Sequence, residues 1–226
     1  MPFATQPRHE EARVVTEERP ELLLFCGLCG LLGNIAPLVL MAFATEVAQH
    51  DFVSDTVSDL ARGPHKWIMD LGFYLNAGGL LALAIAAAHI HLGRMAWSLG
   101  IICLSLLALV VVLLGLWDEF HNSAVGPADW TIHTRLTLLL GPLYLAGPLL
   151  MAGGIEGVRR SYAVLFVASA VLWIVLATVF KLSPTAYDGI IEKIAIGATL
   201  LWTIPLSLFF LGRGWEKSHR LRTAEG

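Results

Sequence analysis

The sequence predicts an all-α fold: a polytopic membrane protein of six transmembrane helices with both termini cytoplasmic. Three observations lead there. The chain of 226 residues is 56% hydrophobic and only 15% charged, whereas a soluble domain carries about 25% charged residues. It contains six unbroken apolar runs long enough to cross a bilayer, each needing about 20 residues at about 1.5 Å rise. Its lysines and arginines are partitioned between alternate links, as cytoplasmic loops require. Mean hydropathy of +0.69 and net charge of −3 exclude a disordered tail, a coiled coil, a disulfide-rich secreted module and an ordinary cytosolic enzyme. They also give no reason to expect a nucleic-acid partner.

The runs are Leu22 to Ala44, Trp67 to Ile90, Trp97 to Trp117, Thr131 to Ile155, Tyr162 to Phe180 and Gly189 to Leu211. Each is predicted helical, because an open strand edge in lipid leaves backbone groups unpaired. A barrel would instead show short alternating segments. The first run competes with a secretory signal ending at Ala42-Phe43-Ala44. Its length, and Glu10, Glu11, Glu17 and Glu18 before it, favour a retained span. The short links His91 to Ala96 and Gly157 to Ser161 set their flanking helices antiparallel. In span four Gly141-Pro142 and Gly147-Pro148 predict a kink.

Ten basic residues fall on the side of the termini (Arg8, Arg13, Arg19, Arg94, Arg159, Arg160, Arg213, Lys217, Arg220, Arg222) and five on the other. The expected layout is a cytoplasmic tail (residues 1–20), a transmembrane domain (21–213) and a basic cytoplasmic tail (214–226) resting on anionic headgroups. The location is the cell membrane and membrane lipids are the expected partners; the sequence sets no oligomeric state. Cys26, Cys29 and Cys103 are read as small apolar residues of helices rather than as a redox set.

The outer links carry the chemistry. Ten of eighteen acidic residues lie there, with His50, His65, His121 and His133. Asp51, Asp55 and Asp59 are four apart, as are Lys66 and Asp70, Asp129 and His133, and Asp188 and Glu192, while Asp118 and His121 are three apart. On a helix such sets share a face. A stripe of aspartates at 51, 55 and 59 needs a cation, a basic side chain from elsewhere, or water. Asp70, His133, Arg135, Glu192 and Lys193 lie just inside their spans, where an ionisable group must be paired or face a polar cavity. One reading is structural ion pairing, Asp70 with Arg135 or Lys193 and Glu192 with Arg135. The other is a site at the outer leaflet, with the outer ends of spans two, four and six gathered round a polar pocket and spans three and five walling it from lipid.

Such a site suits one of three functions. A structural or sensory protein needs only the pairs. A metal-dependent hydrolase of a lipid or amphiphile would use His133, His121 and Asp118 as ligands, zinc being the compatible metal. Its catalytic set would be Asp59, Ser58, Glu192 and Lys193, with Asp70, Asp129, Arg135 and Asp188 completing the pocket. A proton-coupled transporter would need polar groups at mid-membrane; the sequence offers Asn34, Asn76 and Thr137 there but no charge. Neither His-Glu-x-x-His nor Gly-x-Ser-x-Gly is present.

Three segments resemble a bacterial integral membrane family designated domain of unknown function 998. They are Val57-Ser58-Asp59-Leu60-Ala61, similar to its Ser-Asp-Leu signature; Asp118 followed by His133 entering span four; and Gly189-Ile190-Ile191-Glu192-Lys193, similar to Gly-x-x-Glu-Arg. The resemblance implies a compact six-helix membrane protein and assigns no reaction. Lys193 stands where the pattern has arginine, and Leu116-Trp117-Asp118 lacks its Phe-Pro lead-in. A more distant likeness, to membrane metal hydrolases of the ceramidase and adiponectin-receptor type, lacks their His-x-x-x-His element.

Overall fold

A computed structural model describes residues 18–92, 95–116 and 132–225. Among them are seven helices: α1 (Pro20–Ala48), α2 (Val57–Leu60), α3 (Trp67–His89), α4 (Met95–Leu116), α5 (Ile132–Glu156), α6 (Arg160–Leu182) and α7 (Asp188–Glu225). All but α2 are long and apolar enough to cross a membrane. The long helices touch in chain order, and α7 returns to α1, so the spans close a ring. The start of α1 and the end of α7 share one end of it, where Glu18 binds Arg213 at 3.0 Å and Lys217 at 3.6 Å. That end is proximal below, and the opposite end distal.

Helix limits follow local chemistry. Pro20 occupies the first position of α1, where its missing N–H costs nothing. The helix stops at Gln49, whose left-handed φ of 54° turns its N–H onto the Thr45 carbonyl. At the other end of the chain α7 is one helix of 38 residues that takes in the basic segment as far as Glu225, about 57 Å at 1.5 Å per residue.

Within the ring, close approach replaces hydrophobic driving force, as helices in lipid require. Gly33 of α1 lies against Gly79 of α3; an added methyl at Gly33 would stand 2.8 Å from the Gly79 Cα. Beside it Asn76 donates to Asn34 at 3.1 Å, and Asn34 donates to the Gly30 carbonyl at 2.7 Å. On α5, Gly147 makes room for the buried Trp202 of α7. Inside α5, which holds Pro142 and Pro148, Trp173 of α6 donates to the Gly141 carbonyl at 3.2 Å and ties the two helices together. The core runs continuously through Leu23, Leu83, Leu107, Phe166, Trp202 and Phe210. Helix α6 fits the expected lipid wall, with Val164, Val171 and Val175 exposed. Helix α4 has two faces: Leu99, Ile102, Leu106 and Leu109 are exposed, as a lipid wall requires, while Trp97, Leu104, Leu107 and Val111 turn into the core.

Candidate functional site

The distal link between α1 and α3 folds over the head of α7. Its course is set by its aspartates, which do not form a helical stripe. Residues 51–56 are turn and extended backbone, so spacing of four there brings no common face. Each carboxylate instead serves nearby N–H groups. Asp51 Oδ1 accepts from Val53 N at 2.7 Å and Ser54 N at 3.1 Å. Asp55 Oδ2 accepts from Asp51 N at 3.0 Å and meets His50 Nδ1 at 2.6 Å. Thr56 and Asp59 form a reciprocal capping box on α2: Thr56 Oγ1 accepts from Asp59 N at 3.1 Å, and Asp59 Oδ2 accepts from Thr56 N at 2.8 Å. Asp59 Oδ1 also pairs with Arg62 at 2.9 Å. Val57 and Leu60 then pack on Met41, Ala44, Ile68 and Met69.

These bonds favour the ionised carboxylates. The Ser54 and Val53 N–H groups hold Asp51 below the usual carboxylate range. The His50 hydrogen bond does the same for Asp55, against a smaller opposing effect of burial.

Helix α7 fastens this link at three successive places. Ile190 N donates to the Val53 carbonyl at 2.8 Å. Glu192 Oε2 accepts from Val57 N at 2.6 Å. Lys193, only 5% exposed, donates to the carbonyls of Phe52 at 3.0 Å, Asp55, and more weakly Gly189 at 3.4 Å. Its ammonium also lies 5.0 Å from the centre of the Phe52 ring. A glycine is needed for this contact, because a methyl at Gly189 would stand 2.6 Å from the Asp55 carbonyl carbon. From α5, His133 Nε2 reaches Ser58 Oγ at 3.0 Å.

Ser58, Asp59, Glu192, Lys193 and His133 therefore converge on one turn of α2 and its approach. The other candidates separate from it. Asp70 pairs with Lys66 at 2.8 Å, not with Arg135 or Lys193, because Lys66 is one helical turn away. Glu192 takes a backbone N–H rather than Arg135, which is exposed. Asp188 opens α7, and its Oδ1 is buried without a hydrogen-bond partner among the described residues. Asp118, His121 and Asp129 lie outside the described residues. Among the described residues no three His, Cys, Asp or Glu side chains are placed to hold a metal; of the expected ligands only His133 is described. Beside the site, a cleft of about 670 Å³ is lined by His50, Asp55, Asp59, Arg62 and His65.

Sequence reasoning missed Thr56 and the His50–Asp55 pair, and it named Gly189 only as part of a motif, without the close approach to Asp55 that requires it. The capping box had a readable signal, threonine with an acid three residues on. The carbonyls gripped by Lys193 had none, since every residue carries one.

Six apolar spans and a polar distal assembly define an integral, multi-pass membrane protein. Residues 29–208 match the model of the family described as "Protein of unknown function (DUF998)", and the chain belongs to that family. The match takes in every described residue of the distal assembly. No curated protein and no solved structure matches the chain.

Proposed function

We propose that this is a cell-membrane protein with cytoplasmic termini whose distal link, residues 49–66, is an outer-face cap clamped to α7, serving a structural or sensory role. The observation that carries the reading is Lys193: a cation 5% exposed, spent on backbone carbonyls of the link and of its own helix. A buried charge is costly unless its donors are satisfied. Placed on backbone carbonyls, it fixes the path of the link whatever the side chains there do. The same helix runs unbroken to the proximal end and meets Glu18 through Arg213. A force on the cap therefore has one continuous helix, with Pro205 as its single interior proline, by which to reach the cytoplasmic side, and this favours a sensory role.

The metal-hydrolase reading draws support from one described ligand, His133. A carrier reading would want a charge in the apolar core, and Lys193 is the one buried charged residue among those described. Membrane lipids remain the proposed partners.

The test has two parts. Val53, 40% exposed, is replaced by cysteine in a chain whose own cysteines are removed. A membrane-impermeant maleimide should label it from outside intact cells; labelling only after lysis refutes the orientation. Glu192→Ala strands the Val57 N–H, worth about 1–3 kcal/mol, and should expose the link to protease. Unchanged protection refutes the clamp.

A further inference from the structure

We propose that Ser58 is a nucleophile activated by His133, and that it takes the acyl group of an ester-bearing amphiphile at the membrane surface. The inference rests on the clamp, which is what holds Ser58 in place. Ser58 Oγ and His133 Nε2 lie 3.0 Å apart, from residues 75 positions apart in sequence. That is the separation a hydroxyl nucleophile and its general base require. With its proton on Nδ1, the imidazole accepts the Ser58 hydroxyl proton at Nε2.

The backbone of Ser58 is fixed on both sides. Val57 before it is buried and its N–H is held by Glu192; Asp59 after it closes the capping box and grips Arg62. Pre-ordering of this kind is what a nucleophile needs beyond a base. Asp59, Glu192 and Lys193 are thus positioning residues, and no metal ligand is required of them.

The chemistry needs only water as co-reactant. Ser58 Oγ bonds to the carbonyl carbon while its proton passes to His133 Nε2. The bond from that carbon to the alcohol oxygen breaks, and the leaving alcohol takes the proton from His133. Water then attacks the acyl-serine, giving up a proton through His133, and releases the carboxylic acid and free Ser58. The acyl class follows from location. His133 is in the first turn of a membrane span, next to Ile132, which is 42% exposed. Phe52 and Trp67, 47% and 57% exposed, stand at the same end. An acyl chain can enter from lipid while its ester stays at the polar boundary.

The full-length protein in detergent is treated with a long-chain alkyl fluorophosphonate and mapped by peptide mass, with heat-denatured protein as control. The expected result is an adduct on Ser58 of the folded chain only, formed at least about 100-fold more slowly in both His133→Gln and His133→Asn. The wild type should also hydrolyse p-nitrophenyl laurate faster than the acetate. No Ser58 adduct in wild-type protein whose link stays protease-resistant overturns the nucleophile and leaves the clamp standing. Equal labelling without His133 overturns the base, and equal rates on the two esters overturn the amphiphile class. If neither histidine variant folds, wild-type mapping decides alone. A link that is cleaved freely in the wild type would instead overturn the clamp.

Discussion

Replacing Lys193 by methionine keeps the apolar stem of the side chain, one atom shorter, and removes its three donors. Two opposing effects follow. Taking a charge out of a buried position relieves a desolvation cost of several kcal/mol. Against this, the carbonyls of Phe52 and Asp55, part-buried in the link, lose their donor, and each charge-assisted bond lost is worth about 1.5–3 kcal/mol. The Gly189 contact, at 3.4 Å, adds little. Water reaches the cage poorly, since the lysine is 5% exposed, so the stranded carbonyls are not re-hydrated without lifting the link. The two bonds together are worth about 3–6 kcal/mol and the relieved desolvation offsets a large part of this, so the net loss should be about 0–3 kcal/mol, or at most roughly 10 °C in melting temperature for a chain of this size. It should localise: protease should cut between residues 49 and 66 before the ring of spans melts. Lys193→Arg keeps the charge but offers a planar fork to carbonyls placed round a compact ammonium, and should fall between. Thermal melting in detergent with timed proteolysis reads both. A methionine variant that melts with the wild type and keeps the link protected would refute the carbonyl cage as the fastening.

Gly189→Ala should release the same link by another route, because its methyl would overlap the Asp55 backbone rather than a side chain that can turn away. A loss of about 2 kcal/mol or more is expected, and an unchanged protease pattern would contradict the contact. Asn76→Leu should cost about 0.6–1.7 kcal/mol, and a double-mutant cycle with Asn34→Leu should return a coupling of that order; none would mean that the two amides do not meet. Asp51 and Asp55 are both held below the usual carboxylate range. Their contribution is present above the unfolded value, about 3.9, and is lost as pH falls through the lower folded value. The protection factors of amides 51–56, with exchange corrected for its intrinsic pH dependence, should therefore fall below about pH 4; a fall confined to alkaline pH would reverse the assignment.

The spans were legible because a bilayer imposes one demand, apolar length, that any window of sequence reveals. Leu22 to Ala44 became Pro20–Ala48, and Trp67 to Ile90 became Trp67–His89. The Lys66–Asp70 pairing was equally readable, since both ends sit one turn apart where a helix does form. The same spacing misled at Asp51, Asp55 and Asp59, because a period of four carries information only on a helix. That segment does open a turn at Asp51, whose carboxylate caps the N–H groups of Val53 and Ser54, but the turn stops after one i to i+4 bond at Asp55, and the helix proper starts at Val57 under Thr56. Spacing without a helix start is arithmetic, and the start signal was in the sequence: Thr56 followed by Asp59.

The convergence of Ser58, His133 and Glu192 is a different kind of fact. Nothing local brings positions 58, 133 and 192 together; the closed ring does, by returning α7 beside α1 so that its head lies under the link α1 leaves behind. Once there, the charged side chains divide by what each can reach. Lys193 and Glu192 point from successive positions of one helix, so they cannot occupy the same place on the link. One takes carbonyls on the approach to α2 and the other takes an N–H at its first residue. With those two engaged in backbone bonds and Asp59 in its cap, the pair left with side-chain chemistry is Ser58 and His133. The clamp and the nucleophile are therefore separable by experiment: loosening α7 should disturb both, whereas changing His133 should silence Ser58 and leave the link in place.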